Sequence, residues 1–202
     1  MRSQASTGAW VCAAAIGMAV LAVALAPKAH ATVLEDLKLA DLTARADVIV
    51  VGTIGEATAL RLPGADQIWT DTALSVDQIV KGKVAPKLTI RQQGGRIGDS
   101  AMVVAGNAAL PAGRRVVLFL KRQGDRFYTV GMELGAFEIY TGHDGQPWVR
   151  RRTTVPVGRL APKGQMQLAD PEMAYHGAPL QALIDDVRAL LAAPPADAEV
   201  DP

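Results

Sequence analysis

The chain has 202 residues, with 21 lysines and arginines against 20 aspartates and glutamates, three histidines and a single cysteine. A formal charge of +1 gives no long-range attraction to nucleic acid or to an anionic membrane surface. One thiol excludes a disulfide framework, so a core must hold the fold, and half of the residues are hydrophobic.

The first thirty-one residues read as a secretory signal. Arg2 precedes an uncharged run ending at Pro27, and Ala29-His30-Ala31 sets small residues at the last and third-last positions before a signal-peptidase cut. Cleavage there removes Arg2, Cys12 and Lys28 and leaves a cysteine-free chain with 19 basic and 20 acidic residues. The rival reading is an uncleaved anchor, since about 19 apolar residues just span a bilayer. The Ala-His-Ala ending favours cleavage, and a cysteine-free exported domain suits a bacterial periplasm or exterior. The expected layout is a signal over 1–31, one domain over 32–192 and a disordered acidic tail over 193–202.

Leu34, Leu37, Leu39, Leu42 and Ala46, spaced mainly by three and four, predict a short amphipathic helix over 33–46. Val48-Ile49-Val50-Val51-Gly52-Thr53-Ile54 predicts a buried strand, and Pro63-Gly64 a loop over 61–66. From Ile68 the chain alternates, with Ile68, Thr70, Thr72, Leu74 and Val76 on one face and Trp69, Asp71, Ala73, Ser75 and Asp77 on the other. This long strand ends at Ile79-Val80-Lys81-Gly82, and a further one spans 87–92 before the Gly94-Gly95 break. Met102-Val103-Val104 suggests a short strand. Arg115-Val116-Val117-Leu118-Phe119-Leu120 is the main core strand, paired as a hairpin with residues 126–131. Residues 136–140 and 147–150 flank a His143-Asp144-Gly145 turn, and 153–178 are expected to wrap the surface. Pro179 suits a first helical position, and Leu180, Leu183, Ile184, Val187, Leu190 and Leu191 form one stripe of a C-terminal helix over 179–192. The predicted class is mainly β: a small antiparallel OB-like β-barrel, with a short N-terminal helix and a C-terminal amphipathic helix.

Catalytic patterns are weak. Ser75 lacks a nucleophile elbow; Ser100 with His143 or His176 is the only serine–histidine option worth naming, and a local loop role suits Ser100 better. The histidines show no zinc spacing and Asp66, Asp71 and Asp77 no calcium loop, so no cofactor or metal is expected. Gly94-Gly95-Arg96-Ile97-Gly98 resembles a phosphate loop only superficially, because another strand follows instead of a helix. A corner bend or a binding loop fits it better. Arg150-Arg151-Arg152 beside Trp148 is read as a solvated strand end.

Ala46-Asp47-Val48-Ile49-Val50-Val51-Gly52-Thr53, the strand ending Ile79-Val80-Lys81-Gly82, and Val117-Leu118-Phe119-Leu120 together resemble the netrin-like and metalloproteinase-inhibitor superfamily. The chain also resembles a group of exported bacterial proteins sharing the Gly-Gly-x-x-Gly loop. The likeness covers about residues 44–140 and implies an OB-type barrel. The inhibitors use an N-terminal cysteine that this chain lacks after cleavage, so the likeness implies the barrel and hardly implies protease inhibition.

The expected function is a non-enzymatic exported binding module for an exported protein or a protease, with no nucleic-acid partner and no membrane attachment after cleavage. The candidate contact residues are Trp69, Gly94, Gly95, Arg96, Gly98, Ser100 and Trp148, with the 61–69 approach beside them. The alternatives are a glycan or small-ligand binder stacking on Trp69, Tyr128, Tyr140 or Trp148, and a hydrolase of unfamiliar design.

Overall fold

The computed structural model describes residues 33–160, 166–169 and 177–193; the expected signal, the tail and His176 lie outside them. Mainly β structure is observed. In chain order the elements are β1 (Leu34–Glu35), α1 (Leu39–Arg45), β2 (Val48–Arg61), β3 (Ile68–Lys81), β4 (Lys87–Gln93), β5 (Gly95–Ile97), β6 (Ser100–Met102), β7 (Arg115–Gln123) and β8 (Arg126–Thr129). A 3-10 turn (Met132–Gly135) leads to β9 (Ala136–Thr141), β10 (Pro147–Arg151), β11 (Val157–Leu160), β12 (Met166–Ala169), β13 (Ala178–Pro179) and α2 (Leu180–Ala192).

Five strands form a ring in the order β7-β2-β3-β4-β8, with β8 returning to β7. Neighbours run antiparallel except β4 and β8, which meet in parallel through one register pair, Ile90 with Phe127. The ring is therefore barrel-like with a narrow seam, as in a partly open OB-type barrel. Register irregularities along β2, between Ile49 and Val50, Val51 and Gly52, and Ile54 and Ala57, bend this long strand around it.

Two cores result. Inside the ring sit Val48, Val50 and Ile54 of β2, Leu74 of β3, Leu88 and Ile90 of β4, Val116, Leu118 and Leu120 of β7, and Phe127 of β8. On the other face of β2 and β7, Ile49, Val51, Val117 and Phe119 pack against Leu42 of α1, Phe137 of β9, Val149 of β10, and Leu183, Ile184 and Val187 of α2. Phe119 and Phe137 meet with ring centroids 5.7 Å apart. Because β7 is covered on both faces, its sequence is an uninterrupted apolar run; each such side chain contributes about 1.5–3 kcal/mol on burial.

Several expectations need correction. The N-terminal periodicity is not one helix: the Leu34 and Asp36 amides donate to the Pro156 and Gly158 carbonyls, drawing residues 34–35 into a parallel pair with β11, and α1 starts only at Leu39. Strand β2 continues seven residues past Ile54 to Arg61, because β3 pairs with it again from Ala57 to Arg61 beyond the irregularity. Within 153–178, β11 and β12 pair instead of only wrapping the surface. In α2 the stripe stops at Val187, with Leu190 and Leu191 exposed. Arg151 is no solvated edge residue: strand alternation turns it to the core face, its guanidinium 4.7 Å from the centroid of the Phe137 ring.

Lys81 and Gly82 acquire a concrete role. The Lys81 ammonium donates to the Thr43 and Ala46 carbonyls at 2.7 and 2.6 Å, capping the C-terminal turn of α1. Gly82 (φ +82°) lets the chain turn against the Asp47 carbonyl, where a Cβ would lie 2.5 Å from the oxygen.

Candidate functional site at the mouth of the ring

Along the inward face of β3 the side chains change from Leu74 to Thr72 and Thr70, and along β4 from Leu88 and Ile90 to Gln92. Ala57 and Ala59 of β2 stand opposite Thr72 and Thr70 in register. The ring thus becomes polar and roomy at one end. There residues 94–108 fold back across it: Thr70 Oγ1 donates to the Gly94 carbonyl (2.7 Å) and the Gly94 amide to the Ile68 carbonyl (2.7 Å). At the far end of the segment, Gln92 Nε2 donates to the Ala108 carbonyl (3.2 Å) and Asn107 Nδ2 to the Gln93 carbonyl (2.6 Å).

Between this segment and the strands lies a cavity of about 470 Å³, within the size range of ligand sites. Thr70, Thr72, Gln92, Asn107 and Thr154 bring polar side chains and Gln93 its backbone, Met102, Val103 and Val104 form an apolar rim, and no lining residue is charged. Val103 is 93% exposed. Gly95 (φ +136°) sits where a Cβ would collide with Thr70 Oγ1, so a side chain there would break the hinge of the covering segment.

The sequence-predicted residues separate. Gly94 and Gly95 line the mouth. Arg96, Gly98 and Ser100 lie on the β5–β6 hairpin beyond it, Arg96 Nε donating to the Gly98 carbonyl at 3.1 Å. Trp69 occupies the outward register of β3, half-buried, with its indole N–H buried and without a hydrogen bond. Trp148 closes the β9–β10 hairpin, its Nε1 donating to Asp144 at 3.0 Å across from Tyr140, whose ring carries the Arg150 guanidinium. Asp144 is held below the usual carboxylate range chiefly by the Gln146 amide; burial opposes this, and the Trp148 indole adds to the lowering. Ser100 and His143 stand on different hairpins with no hydrogen bond between them. Among the described residues no group of three or more His, Cys, Asp or Glu side chains could hold a metal.

Sequence reading missed Thr70, Thr72, Gln92 and Asn107. A signal existed: two threonines share the face of Ile68, Leu74 and Val76, where an apolar barrel interior would carry aliphatic side chains.

Outside the ring, Asp71 accepts from Arg91 Nε and Nη2 (2.6 and 2.7 Å) and from Arg126 Nε (3.0 Å). The Arg91 hydrogen bonds above all hold its carboxyl below the ordinary range, Arg126 adding to this while burial opposes it. Because Arg91 lies on β4 and Arg126 on β8, this carboxylate straps the narrow seam.

No protein-family model, characterised protein or solved structure matches this chain.

Proposed function

We propose that the chain is an exported, non-enzymatic binding module whose ring mouth holds an uncharged, extended segment of another exported protein. The observation that carries this reading is the uncharged, hydrogen-bonding cavity of about 470 Å³ with Val103 exposed on its rim. A peptide backbone presents alternating amide donors and carbonyl acceptors; the Gln92 and Asn107 side-chain oxygens and the Thr72 hydroxyl can meet it while the amide nitrogens of Gln92 and Asn107 hold the covering segment, and Met102 and Val103 offer an apolar seat for one side chain. Export rests on Arg2, the apolar run and Ala29-His30-Ala31. The ring order is compatible with the netrin-like resemblance at the level of the barrel. A stacking glycan site is less favoured, because Trp69, Tyr128, Tyr140 and Trp148 all lie outside the mouth lining.

The test is site-specific photo-crosslinking in the exporting host, with the crosslinker at position 103 and, as control, at the exposed Gln181 on α2. The expected result is a discrete adduct with one exported protein from position 103 alone, diminished at least fivefold by Gly95→Val. Identical adduct patterns from both positions, or none from 103, would overturn the reading.

A further inference from the structure

A second, more enclosed cavity lies across the covering segment from the mouth, with Ala108 lining both. Its volume is about 140 Å³, and Pro111, Val116 and Ala136 form its apolar walls, with the Phe137 stretch of β9 running beside them. An apolar cavity of about 150 Å³ accepts a benzene ring. Its lip is cationic. Arg114 and Arg152 line it, 60% and 63% exposed, and approach Glu138 at 3.6 and 3.1 Å. Glu138 is already engaged by Arg150, through Nε at 2.9 Å and Nη2 at 2.9 Å.

The other carboxylate at the cavity, Glu133, is buried and spends its oxygens on the Thr154 amide and hydroxyl and the Val155 amide. Three guanidiniums converge on Glu138, and with Glu133 counted the group keeps a net formal charge of +1 beside an apolar hole. A planar monocarboxylate answers both features, since it accepts paired N–H bonds from a guanidinium fork. An ammonium would meet like charge there.

We propose that this cavity binds a small organic monocarboxylate with a compact apolar body, roughly a benzene ring in size, its carboxylate held by Arg114 and Arg152 and its body resting on Val116 and Ala136. The inference is independent of what occupies the mouth. The test is an NMR titration of the isotope-labelled protein with benzoate, and with benzamide as the uncharged analogue of the same shape. Benzoate is expected to give saturable shifts centred on Val116, Ala136 and Phe137, with a Kd at least tenfold lower than that of benzamide. Arg114→Gln and Arg152→Gln, both at exposed positions that leave the fold intact, should each weaken benzoate at least fivefold and leave benzamide unchanged. Equal affinity for the two ligands, benzoate binding indifferent to both substitutions, or shifts centred elsewhere would overturn the proposal.

Discussion

The ring interior and the helix-covered core share two strands yet are assembled differently. Every fully buried side chain of the ring core comes from residues 48–127, so hairpins and one seam suffice to gather it. The outer core draws on Leu34 and Val157 as well as Val187, and exists only when both ends of the domain return to the back of β2 and β7. One core is self-contained and the other is a coat. Loop closure makes the second the slower to form and the first to open.

The largest expected effect comes from emptying each core in turn. Leu118 and Leu183 are both fully buried, the first inside the ring and the second on α2. Either change to alanine should cost about 2–5 kcal/mol, read by denaturant unfolding. The comparison is sharpened by hydrogen exchange. Leu183→Ala should speed exchange in α2 and β10 while β3 and β4 stay protected, whereas Leu118→Ala should speed it throughout. Uniform acceleration in both variants would mean a single cooperative unit and would break the distinction.

A smaller effect is expected at the seam. Asp71→Asn removes the charge that joins Arg91 and Arg126, at a cost of about 1–3 kcal/mol for a mostly buried pair. The folded carboxyl is held below its unfolded value of about 3.9. Its contribution is therefore complete above that pH and is lost as pH falls through the lower folded value. Thermal melts from pH 6 down to pH 3 should show the wild type losing more stability than Asp71→Asn; parallel acid slopes would show that this carboxylate does not strap the ring.

The smallest effect has the opposite sign. Thr43 of α1 is buried and its hydroxyl has no hydrogen-bond partner. Thr43→Val keeps the shape and removes that unpaired group, so the outer core should gain about 1 kcal/mol, seen as a raised Tm.

Much of the ring was legible in the sequence because its strands announce themselves locally. The apolar run of β7, the alternation of β3 and the Gly124-Asp125 turn into β8 each specify an element from adjacent residues. What stayed hidden depends on partners far along the chain. Residues 55–61 of β2 carry no apolar pattern, and are strand because β3 runs beside them. Leu34 leaves the helical periodicity because of a carbonyl at Pro156, and Arg151 is buried because Phe137 lies opposite. The mouth was half legible. Gly94 and Gly95 marked its hinge, but only the return of Asn107 and Ala108 onto β4 shows that the threonines below them face a cavity.

The ammonium of Lys81 beneath α1 carries a kinetic consequence. A seven-residue helix does not hold itself together in water, and the cation that caps this one arrives from the far end of β3. The helix precedes β2 and β3 in the chain but must wait for their hairpin to zip before its carbonyls find that charge. Pulse-labelled refolding should therefore protect the β2 and β3 amides before those of residues 42–46, so that the earlier-synthesised element matures after the later one.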